Sequence, residues 1–287
     1  MSPPVGPALA TRPEASYDPL IMTPRRLLAP GPFQASQLRS KDPYELSDGH
    51  ALLCLPTGRR GSTRNLVGGA ALETDPKVVS AGVDLGVSTA PGMLRAPDVA
   101  VGPIEDAPGW ATKAPPLAVE YADVGQDEPA LQLKISELLG AGTRFVWVVR
   151  LEGEPRVEVH EPGKRMRVAR QGAVLRAPGI LENEVPIAVL YDRDAAHEAT
   201  LRNLLQRKGY AGLEAVREEG REEGREDALR SSIVTVLTAR GIDAAPIRAA
   251  VLAERDGDVL EQWLRAAATA MRAEEVVEKP RGRRSKR

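Results

Sequence analysis

Asp98, Glu120 and Lys134 are the residues of this 287-residue chain whose types and spacing suit chemistry best. Two carboxylates offer hard oxygen ligands of the kind Mg2+ takes one or two at a time, with waters and a substrate phosphate completing the octahedron; Mn2+ accepts the same donors. A metal held there makes its bound water more acidic and offsets charge on phosphoryl oxygens. A lysine beside it can orient the attacking water or stabilise the pentavalent transition state. Together the three suit phosphodiester hydrolysis.

Each also has a plainer alternative. Glu120 could be an edge-strand glutamate, Lys134 a lysine whose stem lies on apolar surface while its head reaches water, and Asp98 an ordinary turn residue. The elements around them argue for one site. In "PPLAVEYA" Leu117, Val119 and Tyr121 share one face of a strand, and Glu120 sits on the other between Ala118 and Ala122. A carboxylate between two small residues on a half-buried face needs a partner or a metal. In "DEPALQLKISELLGAG" Asp127 or Glu128 can cap a helix and Pro129 suits its first turn. Leu131, Ile135, Leu138 and Leu139 form its core-facing stripe. At about 100° per residue Lys134 flanks that stripe, about 60° from Leu131. In "RAPDVAVG" Asp98 opens a strand just after Pro97, where a missing N–H is tolerated. Antiparallel neighbours would put Asp98 and Glu120 on one sheet, with Lys134 on the helix above.

"RFVWVVRL" is apolar on both faces, as a central strand covered by helices would be, and "EGEP" turns it into "RVEVH" as a hairpin. "GHALLCLP" reads as a short buried strand. The order strand, strand, helix, strand predicts an α/β (α+β) domain over residues 36–195. Before it, eight prolines within the first 32 residues predict an irregular arm over 1–35. After it, "VREEGREEGRED" predicts a solvated, charged linker helix over 196–228, with Arg217, Arg221 and Arg225 in one row and i,i+4 Glu–Arg pairs; a self-associating helix is the alternative. Residues 229–275 predict a small all-α extension, with Leu229, Ile233, Val236 and Leu237 on its first helix and Val259, Leu260, Trp263, Leu264 and Ala267 on its last. "KPRGRRSKR" closes the chain as a basic tail, 276–287, able to touch nucleic-acid phosphates or to be a plain end.

"PD" at 97–98, "VE" at 119–120 and Lys134 on the following helix resemble the PD-(D/E)XK nuclease superfamily. The likeness is closest to its Uma-type branch of restriction endonuclease-like proteins. In that branch the lysine has moved from the strand to the helix, and Ala122 stands here at the position two after the glutamate where the common motif has lysine. "YELSDG" (44–49) and "AGTRFVWVV" extend the likeness, which covers about residues 42 to 162. The resemblance implies a restriction-endonuclease-like mixed sheet flanked by helices. It implies a Mg2+-dependent (or Mn2+-dependent) endonuclease acting on DNA, with Asp98 and Glu120 as metal ligands, Lys134 as the catalytic lysine and Glu45 as an auxiliary acid. A homodimer, through the nuclease-like domain or the C-terminal helices, is left open. In the family the helix before the PD strand is regular; here "GSTRNLVGGAALE" carries Gly68 and Gly69, which argue against regularity.

Composition narrows the field. Lys+Arg is 39 and Asp+Glu 40, so no global basic field marks a nucleic-acid binder and any such binding must come from local patches. The single cysteine, Cys54, excludes an internal disulfide and Cys-based zinc; it reads as a buried small hydrophobe in a reducing, cytoplasmic protein. No secretory signal or membrane-spanning run is evident. Walker-type loops, G-x-S-x-G and H-E-x-x-H are missing, and His50, His160 and His197 are scattered. Two other functions stay open: a catalytically weak or inert nuclease-fold protein that binds DNA, and an assembly protein acting through its C-terminal helices.

Overall fold

The computed structural model describes residues 31–278. The proline-rich arm up to residue 30 and the basic tail from 279 lie outside them. The chain divides into two compact units, Met1–Thr200 and Leu201–Arg287.

In the first unit a hairpin, β1 (Tyr44–Ser47) and β2 (His50–Leu53), precedes helix α1 (Arg59–Glu73). Strands β3 (Ala81–Val83), β4 (Val99–Val101) and β5 (Leu117–Ala122) follow, then helix α2 (Glu128–Gly140) and strands β6 (Phe145–Arg150), β7 (Arg156–His160) and β8 (Arg167–Arg170). β3 to β8 form one sheet in sequence order. Every neighbouring pair is antiparallel except β5 and β6, which run parallel because α2 crosses over between them. The result is a mixed sheet flanked by helices, as the resemblance implied. A two-residue pair, β9 (Val174–Leu175) with β10 (Val185–Pro186), and a 3-10 turn at Ile187–Leu190 complete the main core before α3 (Arg193–Arg207).

The two faces of the sheet are covered differently. Leu117, Val119, Tyr121, Phe145, Trp147 and Val149 join the main core on the side of α1. Ala118, Ala122, Val146 and Val148 pack against Leu131, Ile135 and Leu138 of α2. β5 is therefore buried along its whole length. The predicted α2 forms as expected: the Asp127 carboxylate accepts the Ala130 N–H at 3.0 Å and Pro129 sits in the first turn.

Two readings are corrected. Gly68 and Gly69 do not interrupt α1, which is a continuous 15-residue helix. A Cβ on Gly68 would lie 2.2 Å from the Tyr121 hydroxyl and one on Gly69 would touch Val99 at 3.4 Å, so the glycines let the helix backbone settle on the sheet. "GHALLCLP" is not a buried strand: β2 pairs only with β1, leaving Leu53 60% and Leu55 78% exposed, and Cys54 is exposed rather than buried.

In the second unit the charged repeat belongs to α4 (Leu213–Ala239), a helix separate from α3 that runs on through the first apolar stripe. Arg217 and Arg221 of the repeat pair at i,i+3, with Glu214 and Glu218, and Arg225 meets Glu261; the expected i,i+4 spacing occurs where Glu226 of the repeat pairs with Arg230. α5 (Arg248–Ala253), α6 (Gly257–Ala267) and α7 (Glu274–Val277) close the unit around Ile233, Leu237, Ile247, Val251 and Leu260. α7 takes in two residues that the sequence assigns to the tail. Among the described residues no helix is long and apolar enough to cross a membrane.

Candidate active site

The register of β4 on β5 pairs Val99 with Val119 and Val101 with Leu117. One step further along the same ladder sets Asp98 across from Glu120. The Asp98 carboxylate then reaches over to accept the Tyr121 backbone N–H at 2.6 Å, so the sheet itself fixes its position. Glu120 projects onto the α2 face and its side chain is only 7% exposed. Across that face Lys134 brings its ammonium 2.9 Å from Glu120 Oε1 and 3.1 Å from Oε2. The same ammonium donates to the Ala96 carbonyl at 2.7 Å, on the segment leading into β4. Glu45, from β1, completes the group: its Oε1 lies 3.4 Å from the lysine and accepts the Ala96 N–H at 3.2 Å. All four residues singled out in the sequence are thus neighbours.

Burial dominates the electrostatics. It pushes the Glu120 carboxyl up to about 8; the Lys134 ammonium opposes that rise, and Asp98 adds to it. Asp98 is raised for the same reason, with the Tyr121 N–H and Lys134 pulling the other way. For Lys134 burial works to lower the pKa, but Glu120, Glu45 and Asp98 together outweigh it and hold the amine well above its usual range. The lysine is a fixed cation beside carboxyls that favour a proton or another cation.

Among the described residues no set of three or more His, Cys, Asp or Glu side chains is arranged to hold a metal by itself. Mg2+ needs no such cage, since one or two carboxylates suffice when water and phosphate supply the rest. Asp98 and Glu120 meet that requirement in donor type. Glu120 Oε1 is also buried without a well-formed hydrogen bond, despite its closeness to the ammonium, and so has a lone pair to offer.

No family model matches the chain, and no curated protein matches it. Among solved structures it is similar to one from Anabaena variabilis ATCC 29413, described as "a putative nuclease belonging to DUF820". The match has a TM-score of 0.48 and 18% sequence identity over 57% of this chain and 99% of that one.

Arg95 and Glu137 belong to the cluster although sequence reasoning passed over them. Arg95 is 2% exposed. Its guanidinium donates to Glu45 Oε2 at 3.0 Å and, through Nε, to Glu137 on α2. Ser47 of β1 donates to the same Glu137. Both oxygens of Glu45 are therefore engaged, one by Arg95 and one by Ala96 and Lys134. That makes Glu45 a brace for the lysine. The available signals were slight: Arg95 lies three residues before Asp98, and Glu137 one turn after Lys134 on the same helix. Asp84, exposed at the end of β3, donates its N–H to the Asp98 carbonyl at 3.4 Å and adds negative charge near that carboxyl.

Proposed function

We propose that this chain is a metal-dependent endonuclease that hydrolyses DNA phosphodiester bonds. The observation that supports this is the placing of Asp98, just before β4 and bonded to the Tyr121 N–H, beside Glu120 of β5, with the ammonium of Lys134 2.9 Å from Glu120. Asp98 and Glu120 would hold a Mg2+ ion, with Mn2+ as a substitute. When bound, the ion would acidify a coordinated water and offset charge on the phosphoryl oxygens.

The chain's own residues do the rest. Lys134, anchored by the Ala96 carbonyl, keeps a full positive charge where negative charge builds on the phosphorane and can orient the attacking water. Because the ammonium is already fixed and largely desolvated, little reorganisation is needed as the barrier is crossed. Glu45 and Arg95 keep it aimed. Asp98, tied to the Tyr121 N–H, stays in place without relying on a flexible loop.

The test is nicking of supercoiled plasmid with Mg2+ by wild type, Glu120→Ala and Lys134→Ala. Cleavage by wild type and none by either variant is expected. A folded wild-type protein that cuts no DNA with Mg2+ or Mn2+ would overturn the proposal and leave a nuclease-fold protein that binds or assembles without cutting.

A further inference from the structure

A second cluster of cations lies away from the carboxylates. A cavity of about 470 Å³ is lined by Arg144, Lys164, Arg167 and Arg176, together with Phe145 and Glu161. Phe145 pairs with Leu117, whereas Glu120 pairs with Val148, so the cavity sits about 10 Å further along the strands toward their other end. Phe145 also belongs to the α1 side of the sheet, the face away from Glu120. This cavity is not an extension of the candidate active site.

Its charges are poorly balanced. Glu161 meets Lys164 at 2.6 Å and Arg167 only at 3.8 Å, and Arg176 is paired with Glu184. Arg144 forms no ion pair among the described residues. It is nevertheless held in place: it donates to the Pro178 carbonyl at 2.7 Å and lies 5.8 Å over the Phe145 ring. Gly179, with φ of 80°, leaves room beside it; a Cβ there would come within 3.4 Å of the guanidinium. A fixed guanidinium fork recognises oxyanions at low entropic cost.

The cations continue beyond the cavity. Arg165 is exposed on the β7–β8 turn beside Lys164, and Arg167 shares the α1 side of the edge strand β8 with Ala169, whereas Arg170 points to the other face and takes no part. Protection of a sheet edge would account for charges on β8 itself. It does not account for Arg144 and Arg176, which come from other segments and converge on the same cavity. In a chain with a net charge of -1 this is a local basic surface.

We propose that this surface is a second nucleic-acid contact, binding backbone phosphates apart from the catalytic centre. The choice of nucleic acid over another phosphate carrier rests on the nuclease reading; the anion chemistry does not.

The experiment is fluorescence anisotropy of a labelled DNA duplex with the full chain in EDTA over a salt series. The proteins compared are wild type, Arg144→Ala/Arg167→Ala and the control Arg217→Ala/Arg221→Ala, which removes the same charge from α4. Each lost phosphate contact should lower the slope of log K against log salt by about 0.9, so the cavity variant should lose roughly 2 from its slope and bind several-fold more weakly at low salt. The control should match wild type. An unchanged slope, an equal loss in the control, or no duplex binding by wild type would overturn the proposal; so would inorganic phosphate shifting Arg144 resonances while DNA does not. Normal duplex binding by a wild type that does not cleave would refute the catalytic reading and leave this contact standing.

Discussion

Replacing Glu120 by glutamine tests the environment of the site without relying on activity. A carboxyl whose folded pKa lies above its unfolded value keeps a proton that the unfolded chain releases. With Glu120 raised from 4.5 to about 8, the folded state binds up to one extra proton across that interval. Stability then falls as pH rises, by up to about 1.4 kcal/mol per unit. Below the lower value the penalty is absent, and above the upper value it is complete. Over the whole window it amounts to at most roughly 4 to 5 kcal/mol, and at 7% exposure water does little to screen it. Glu120→Gln cannot titrate, so its stability should lose this slope and gain on wild type by several kcal/mol between pH 5 and pH 8. The assay is urea unfolding in EDTA at a series of pH values, in a Trp263→Phe background so that fluorescence reports Trp110 and Trp147 of the first unit. Curves for the two proteins that stay parallel within about 1 kcal/mol would mean that Glu120 titrates as if in water, and the burial argument would fail. Adding Mg2+ extends the test: at a hundred times its Kd the ion should stabilise wild type by about 2.7 kcal/mol. An equal gain in Glu120→Gln would remove Glu120 from the metal ligands.

Arg95→Met leaves Glu45 and Glu137 without their shared cation and should cost about 3 to 5 kcal/mol in urea unfolding. Lys should restore only part, since an ammonium cannot serve both carboxylates as the fork does, and a loss below 1 kcal/mol would show that the brace is dispensable. Gly68→Ala drives a methyl into the Tyr121 hydroxyl and should cost about 1 to 3 kcal/mol. That hydroxyl is buried without a partner, so Tyr121→Phe alone should be near neutral and should rescue Gly68→Ala; additive losses in the double-mutant cycle would contradict the contact. Glu128 is held down to about 2, first by its hydrogen bonds to Arg150 and then to Gln132. Its stabilisation is present above its ordinary 4.5 and is lost as pH falls toward 2. The carboxylate is 48% exposed, so Glu128→Gln should cost only about 0.5 to 1 kcal/mol at pH 7 and nothing at pH 2 by acid titration; a pH-independent difference would point to packing instead.

The parts of the site legible in the sequence are those that periodicity carries. Alternation around Glu120 identified its face, because a strand has period two and both of its neighbours on that side are alanines. The apolar stripe of α2 placed Lys134 on its flank for the same kind of reason. Arg95 and Glu137 escaped because their pairing spans 42 residues and an ion pair leaves no periodic trace. Glu45 entered only through the resemblance, since a glutamate in a four-residue hairpin strand has no pattern to reveal its partner. The apolar run around Cys54 misled because burial of a strand depends on what lies beside it, and β2 has only β1. The glycines of α1 misled in the opposite sense: their low helix propensity is a local cost of about 1 kcal/mol each, outweighed by the close approach that they allow. On α4 the repeat was plain, but the choice between i+3 and i+4 partners, and the pairing of Arg225 with Glu261, depend on rotamers and on a neighbouring helix.

The ladder between β4 and β5 also governs how the protein can change in length. Asp98 meets Glu120 because valines on one strand oppose valine and leucine on the other; the connection between the strands does not set that alignment. Slipping the pair by one residue would turn Glu120 toward the opposite face and is opposed by every buried side chain on both strands. Residues 105–109, at the tip of the connection, are exposed and bear none of that alignment. Lengthening a surface loop costs only about 0.6 kcal/mol per doubling. Insertions there should be accepted with the carboxylates undisturbed, whereas a single residue added between Asp98 and Val101 should dismantle the cluster. The protein is therefore built to vary its surroundings without moving its centre.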